Sequence, residues 1–366
     1  MQRREFLRCA LGVSALAWAG ALGRAAIRVG DARRAGGRFL ASRQAPDGAW
    51  RSAHYGAFRD GDALTPVVLW ALAGADSPAR ARGLGWLRRL TAVQAARAEP
   101  WTGLAYPLFT ASYSAQVFAA GGDWDRAAFW AEVASALRIR AALGWADGDP
   151  ACGAWSDSPT PPGLPDGAQP APDMVAPNLS ATLLGVQALV AAGRGAEAGA
   201  ARPFVEQCQN FAATEAGPFD DGGFIFAPGD PVRNKAGLAG REAAGRTRFR
   251  SYGSATGDGC LALRACGLAG DHPRVAAALA WLRRWGEGRW PAARAEAREA
   301  LAFYHRQALA AVLADASDLP GLRALATEVI ARQAGDGSWQ GAAPASCEDD
   351  PVLATAFALR ALAPRA

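Results

Sequence analysis

The chain has 366 residues, of which 51% are hydrophobic and 20% charged, with a formal net charge of +5. That much apolar material supports a sizeable core and excludes a disordered or low-complexity chain. Of its 39 basic residues only Lys235 is a lysine. The arginines are scattered among Asp and Glu with no long basic block, which argues against a nucleic-acid surface.

The first element is a leader. Arg3-Arg4-Glu5-Phe6-Leu7 is a twin-arginine pattern, and it precedes an apolar stretch from Cys9 to Gly23 that is short and rich in Gly and Ala. Small residues follow at Ala25 and Ala26. The pattern predicts a signal peptide over 1–26, export by the twin-arginine route to the periplasm or cell envelope, and no stable membrane span after cleavage. A retained anchor is the alternative. Removing Cys9 with the leader leaves Cys152, Cys208, Cys260, Cys266 and Cys347, an odd number that does not suit a disulfide framework.

From residue 30 to 364 one unit recurs six times, and repeats decide architecture before any single residue does. The first copy reads FLASRQAPDGAWRS (Phe39 to Ser52), followed by the apolar run Asp62 to Ala75. Blurred copies begin at Leu87, Leu137, Phe204 and Leu279. The last copy is VIARQAGDGSWQG (Val329 to Gly341), followed by Asp349 to Leu362. Each unit is an amphipathic helix, a turn carrying Gly, Asp and aromatics, and a second helix apolar nearly all round. The Pro/Gly stretch Ser158 to Asp173 reads as a solvated loop. Strand-like alternation is almost absent, FIFAP (Phe224 to Pro228) being the best fragment.

A helix pair cannot bury its apolar face alone, so pairs stack on neighbours. Helices apolar on every side belong inside, and those with an Arg-rich face belong outside. The expectation is an all-α fold, an α/α toroid of six inner and six outer helices.

The segments Gln44-Ala45-Pro46-Asp47-Gly48-Ala49-Trp50 and Gln333-Ala334-Gly335-Asp336-Gly337-Ser338-Trp339 resemble the repeats of squalene–hopene cyclases and protein prenyltransferase β subunits. That resemblance implies that Gln44 and Gln333 tie a helix end to a neighbouring turn with Trp50 and Trp339 packed on them, a structural role. It also implies a central funnel that takes an isoprenoid or terpenoid, or else a protein segment. A terpenoid cyclase or lyase, or a plain interaction toroid, is the alternative.

Cyclases of this kind protonate an alkene with an acid in an Asp-x-Asp-Asp motif, which this chain lacks. The nearest acids are Asp349 and Asp350 beside Glu348, the pair Asp220 and Asp221, and the turns holding Asp60, Asp62, Asp147 and Asp149. All lie in turns, where acids commonly cap helices. The prenyltransferase likeness implies a different site. Asp258-Gly259-Cys260 and Tyr304-His305 would supply Asp258, Cys260 and His305 as three ligands of a zinc ion with one open position.

Overall fold

The computed structural model describes residues 28–363 apart from 147, 167–170, 215–216, 243–244, 286–300 and 343. The twin-arginine leader, Asp147 and the aromatic turn of the fifth copy lie outside the described residues. Helices alternate outer and inner along the chain. They are α1 (residues 28–42), α2 (Leu64–Ala71), α3 (Pro78–Ala95), α4 (Pro107–Ala120), α5 (Trp124–Ala136) and α6 (Leu179–Ala191). After them come the short α7 (Gly195–Ala198) and α8 (Arg202–Gln207), then α9 (Gly253–Ala265), α10 (Pro273–Trp285), α11 (Ala302–Asp315), α12 (Leu319–Ala331) and α13 (Pro351–Ala361).

The inner set is α2, α4, α6, α9, α11 and α13. Each packs on the next, and α13 packs on α2, so the six close into a ring. Their composition explains why. All eight residues of α2 are buried, as are eleven of the fourteen in α11, so these helices have no solvated face to turn outward. The outer helices bury only a stripe: α12 buries Leu325 and Val329 and leaves its other faces toward solvent.

Among the described residues one small sheet interrupts the helices. β1 (Leu238–Arg241) pairs antiparallel with β2 (Thr247–Phe249). The strand-like fragment FIFAP is not part of it; Phe224 makes only an isolated bridge to Gln209.

The repeat turns are built on one plan. In the first and last units Asp47 and Asp336 accept the backbone N–H two residues on, and the following glycines take φ of +98° and +90°. A Cβ on Gly48 would meet the Arg82 carbonyl at 2.7 Å, and one on Gly337 the Ala35 carbonyl at 2.6 Å, so these turns press directly on the next outer helix. Gln44 Nε2 donates to its own turn at Gly48 O and to Ala79 O of α3, each at 2.8 Å. Gln333 Nε2 does the same to Gly337 O and Ala32 O at 2.9 Å. The last turn thereby reaches the first outer helix. Gln209 repeats the pattern in a blurred unit, to Gly222 O and Arg274 O.

In three of the described turns the tryptophan is fixed at both ends. The indole N–H groups of Trp50, Trp155 and Trp339 donate at 2.7 Å to Leu40 O, Ala134 O and Val329 O. Their backbone N–H groups donate to the hydroxyls of Thr65, Thr182 and Thr355 on the inner helices. Phe224 takes this place in the fourth unit, with its N–H on Thr256. Each ring lies on a glycine: Trp50 on Gly83, Trp155 on Gly185, Phe224 on Gly259 and Trp339 on Gly36. A Cβ at Gly185 would sit 2.2 Å from the Trp155 ring. Gly185→Ala therefore overpacks a filled joint and lowers stability by about 1–3 kcal/mol, read as a lower urea midpoint.

Candidate functional site

A cavity of about 330 Å³ opens at the N-terminal ends of the inner helices. Its wall takes residues from the first turns of α4, α6, α11 and α13, so ring closure itself builds the chamber. Six aromatic residues line it: Phe58, Tyr106, Phe109, Phe226, Tyr304 and Phe357. Leu108, Leu184, Leu301 and Leu353 fill between them. The volume lies near the lower end for small-molecule sites, and the wall is of the apolar kind such sites favour. The edges and faces of such rings also stabilise positive charge.

One acid stands directly behind this wall. Asp258, midway along α9, is fully buried. Its Oδ2 accepts from Ser180 Oγ at 2.6 Å and from the Tyr304 hydroxyl at 2.9 Å. Ser180 and Tyr304 both face the cavity, so a single hydroxyl separates the carboxyl from the chamber. Burial pushes the Asp258 carboxyl up to about 7, although both hydroxyls and the charge of Lys235 pull it back. The same burial, beside Asp258, lifts the Tyr304 hydroxyl well above its usual range.

Two further carboxyls adjoin the cavity. Glu348 is buried and receives the backbone N–H groups of Phe303 and Tyr304, each at 2.7 Å, at the start of α11. Burial still pushes it up to about 7. Asp157 lines the chamber and accepts from Asn178 Nδ2 at 2.8 Å; burial raises it, and Arg233, Asn178 and Lys235 oppose the shift. Lys235 lines the chamber too. Burial lowers its ammonium, while Asp258, Asp157 and Glu348 act to raise it.

The structure corrects the zinc reading. Asp258, Cys260 and His305 are not brought together, and among the described residues no three His, Cys, Asp or Glu side chains gather as a metal site. Residues two apart on a helix point to opposite sides. Asp258 therefore meets Ser180 and Tyr304, while Cys260 lies in the field of Asp315 and Arg264, its thiol pushed up to about 12 by burial. His305 packs beneath Gly253 in a setting whose burial pushes the imidazole down to about 4.

The turn acids have other duties. Asp350 caps α13 through Val352 N and Leu353 N. Asp349 accepts the Tyr55 hydroxyl, and Tyr55 packs edge-on against Phe58 of the cavity wall. Asp220 pairs with Arg248 at 2.7 Å, and Asp221 accepts from Ser251 Oγ and Trp281 Nε1; both line a separate groove. Asp62 is buried and accepts Ala105 N at 2.8 Å. None of these acids replaces Asp258 as the carboxyl bonded to the chamber's hydroxyls.

No protein-family model matches the sequence, and no curated protein matches it. Among solved structures the fold is similar to the type II terpene cyclase MstE of Scytonema in complex with geranylgeranyl dihydroxybenzoate. The TM-score is 0.61 at 14% identity, over 93% of this chain and 98% of that one. The same cyclase with its product, merosterolic acid A, matches equally at 0.61. A protein from Actinoplanes matches at 0.52 with 15% identity, over 91% and 98% of the two chains. The chain thus has the squalene–hopene cyclase type of fold, all-α and nearly without sheet, as its repeats predict.

Proposed function

We propose that the protein is a terpenoid cyclase of the protonation-initiated kind, holding an isoprenoid in the central cavity. The observation that carries this reading is a buried carboxyl, near its point of half-protonation at neutral pH, hydrogen-bonded to a phenol in the wall of an aromatic chamber. The likeness in fold to a cyclase solved with a geranylgeranyl substrate supports it.

The chemistry follows from the placement. The Tyr304 hydroxyl gives its proton to one carbon of a C=C bond while the protonated Asp258 returns a proton to the Tyr304 oxygen. The other alkene carbon becomes a cation, and Asp258 is left as the carboxylate. A second C=C bond attacks the cation, closing a ring, and the final cation loses a proton that returns through the Tyr304 hydroxyl to the Asp258 carboxylate, restoring the acid, which exchanges with solvent between turnovers. The surrounding rings stabilise the cation and exclude the water that would quench it. This arrangement needs no Asp-x-Asp-Asp: the work assigned to that motif falls on one acid and two hydroxyls. Nothing in the cavity favours a protein segment as its occupant.

The test is turnover in D₂O. Linear isoprenoid substrates are incubated with the protein and the extract is examined by mass spectrometry. The expected result is a cyclic isomer carrying one deuterium at the carbon first protonated. Isoprenoid binding without any cyclic product would reduce the reading to a binding protein.

Export belongs to the same reading. Arg3 and Arg4 lie outside the described residues, and among the described residues no helix is long and apolar enough to cross a membrane. Replacing both arginines by lysine is expected to hold the precursor inside the cell, as followed by fractionation and immunoblot. Unchanged localisation would remove the twin-arginine assignment.

A further inference from the structure

The charges around the cavity are unlike those of the rest of the molecule. A chain that uses arginine for nearly every cation places no arginine among the described residues lining the chamber. Its one lysine is there instead. Lys235 and Asp157 are the only charged residues among the described lining residues. No carboxylate among the described residues lies within ion-pair distance of Lys235 Nζ. Its Nζ lies over the Phe226 ring, 5.5 Å from the centroid.

Three carboxyls, those of Asp258, Asp157 and Glu348, share the field of this one ammonium. Most of the other donors that could hold an anion are already in use, the exception being the start of α4, whose first turn lines the chamber without a side-chain cap. The inner helices point their N-termini at the chamber, which is ordinarily an anion-binding arrangement. Here the first backbone N–H groups of α11 are taken by Glu348, those of α13 by Asp350, and α6 is capped by Asn178 through Ala181 N. A diphosphate would bring several negative charges to a chamber lined by one cation and neighboured by three carboxyls, with Arg233 on the Phe226 ring already paired to Asp230 and three of the four helix ends in the wall occupied. Buried anions without partners are strongly disfavoured. An uncharged oxygen needs a single donor, and a lysine ammonium in an apolar wall supplies one.

We infer that Lys235 is the head-group subsite of the cavity, and that it takes an isoprenoid ending in an uncharged hydroxyl or carbonyl oxygen, not a diphosphate. This inference rests on the isoprenoid reading above and narrows its substrate class.

Three fifteen-carbon probes separate the possibilities: farnesene, farnesol and farnesyl diphosphate. Each is titrated against the full chain by quenching of tryptophan fluorescence, with and without Mg²⁺. A hydrogen bond from a charged donor makes the alcohol bind roughly ten-fold or more tighter than the hydrocarbon. The diphosphate binds more weakly than the alcohol in both buffers. Lys235→Met removes the preference for the alcohol and leaves the affinity for farnesene in place. An alcohol no tighter than the hydrocarbon, a preference that survives Lys235→Met, or a diphosphate that binds tightest would each overturn the assignment. The wild-type ranking decides the matter even if the variant fails to fold. Failure of all three probes to bind would overturn the isoprenoid reading itself, a result distinct from the loss of head-group selectivity alone.

Discussion

Asp258→Asn is expected to lower the rate of cyclic product formation by about a hundred- to ten-thousand-fold, the range for removing a positioned general acid. The fold should survive. Asparagine has nearly the same shape, and the hydroxyls of Ser180 and Tyr304 can rotate to meet its amide, so no buried group is stranded. In the proposed reaction the protonated carboxyl is the active form, so the wild-type rate should fall as pH rises through about 7.

Stability carries the same signature. The Asp258 carboxyl goes from an ordinary value of 3.8 to about 7 on folding, so between those limits the native state holds a proton that the unfolded chain has released. Stability therefore declines as pH rises across that window. Asp258→Asn removes this part of the slope and leaves the part due to Glu348, which also titrates near 7. Rates are read by mass spectrometry of product and stability by urea titration at several pH values. Full activity in the Asn variant would show that the proton comes from elsewhere. Tyr304→Phe provides the companion measurement: it keeps the acid but breaks the path between the acid and the chamber.

The fold was legible because its joints are local in sequence. Gln44 and Trp50, like Gln333 and Trp339, sit within one turn, and the residue four positions before each Gln supplies the carbonyl that takes the indole N–H. The same offset identifies the blurred third unit. Ala134 takes the Trp155 indole, and Arg138 stands in the Gln position, reaching Glu197 of α7 by an ion pair at 3.3 Å where Gln uses a backbone carbonyl. The threonines Thr65, Thr182, Thr256 and Thr355 were a further repeat signal, visible in sequence but readable only once their hydroxyls are seen on the turns.

The site was not legible for the opposite reason. Asp258 draws its partners from Ser180 and Tyr304, 78 and 46 residues away, and only the stacking of successive inner helices brings α6, α9 and α11 to one point. Reading Asp258 with Cys260 followed sequence proximity, which on a helix turns the two side chains apart. The singular Lys235 was countable from the start, but nothing near it in sequence announces an aromatic cavity. Asp350, by contrast, does what acids in turns before helices ordinarily do.

Trp339→Ala is expected to cost about 3–5 kcal/mol, the range for emptying a buried aromatic site. That is comparable to the whole net stability of many proteins. The ring is fully buried, its indole N–H holds Val329 O at 2.7 Å, and its six-membered edge lies against Gly36 and beside Leu359 of α13. This joint differs from that at Trp50 in where it sits. It fastens the last unit to the first outer helix, and Gln333 reinforces it through Ala32. Losing Trp339 therefore opens a void and also weakens the closure that holds α13 against α2. Trp50→Ala, within the run of the chain, should cost a similar amount while unfolding remains one cooperative transition. Trp339→Ala should in addition give a shallower urea transition, because the terminal unit can detach before the rest. Equal slopes for the two variants would mean that closure adds nothing beyond the packing of each Trp. A loss near zero would mean that the turn does not carry the joint.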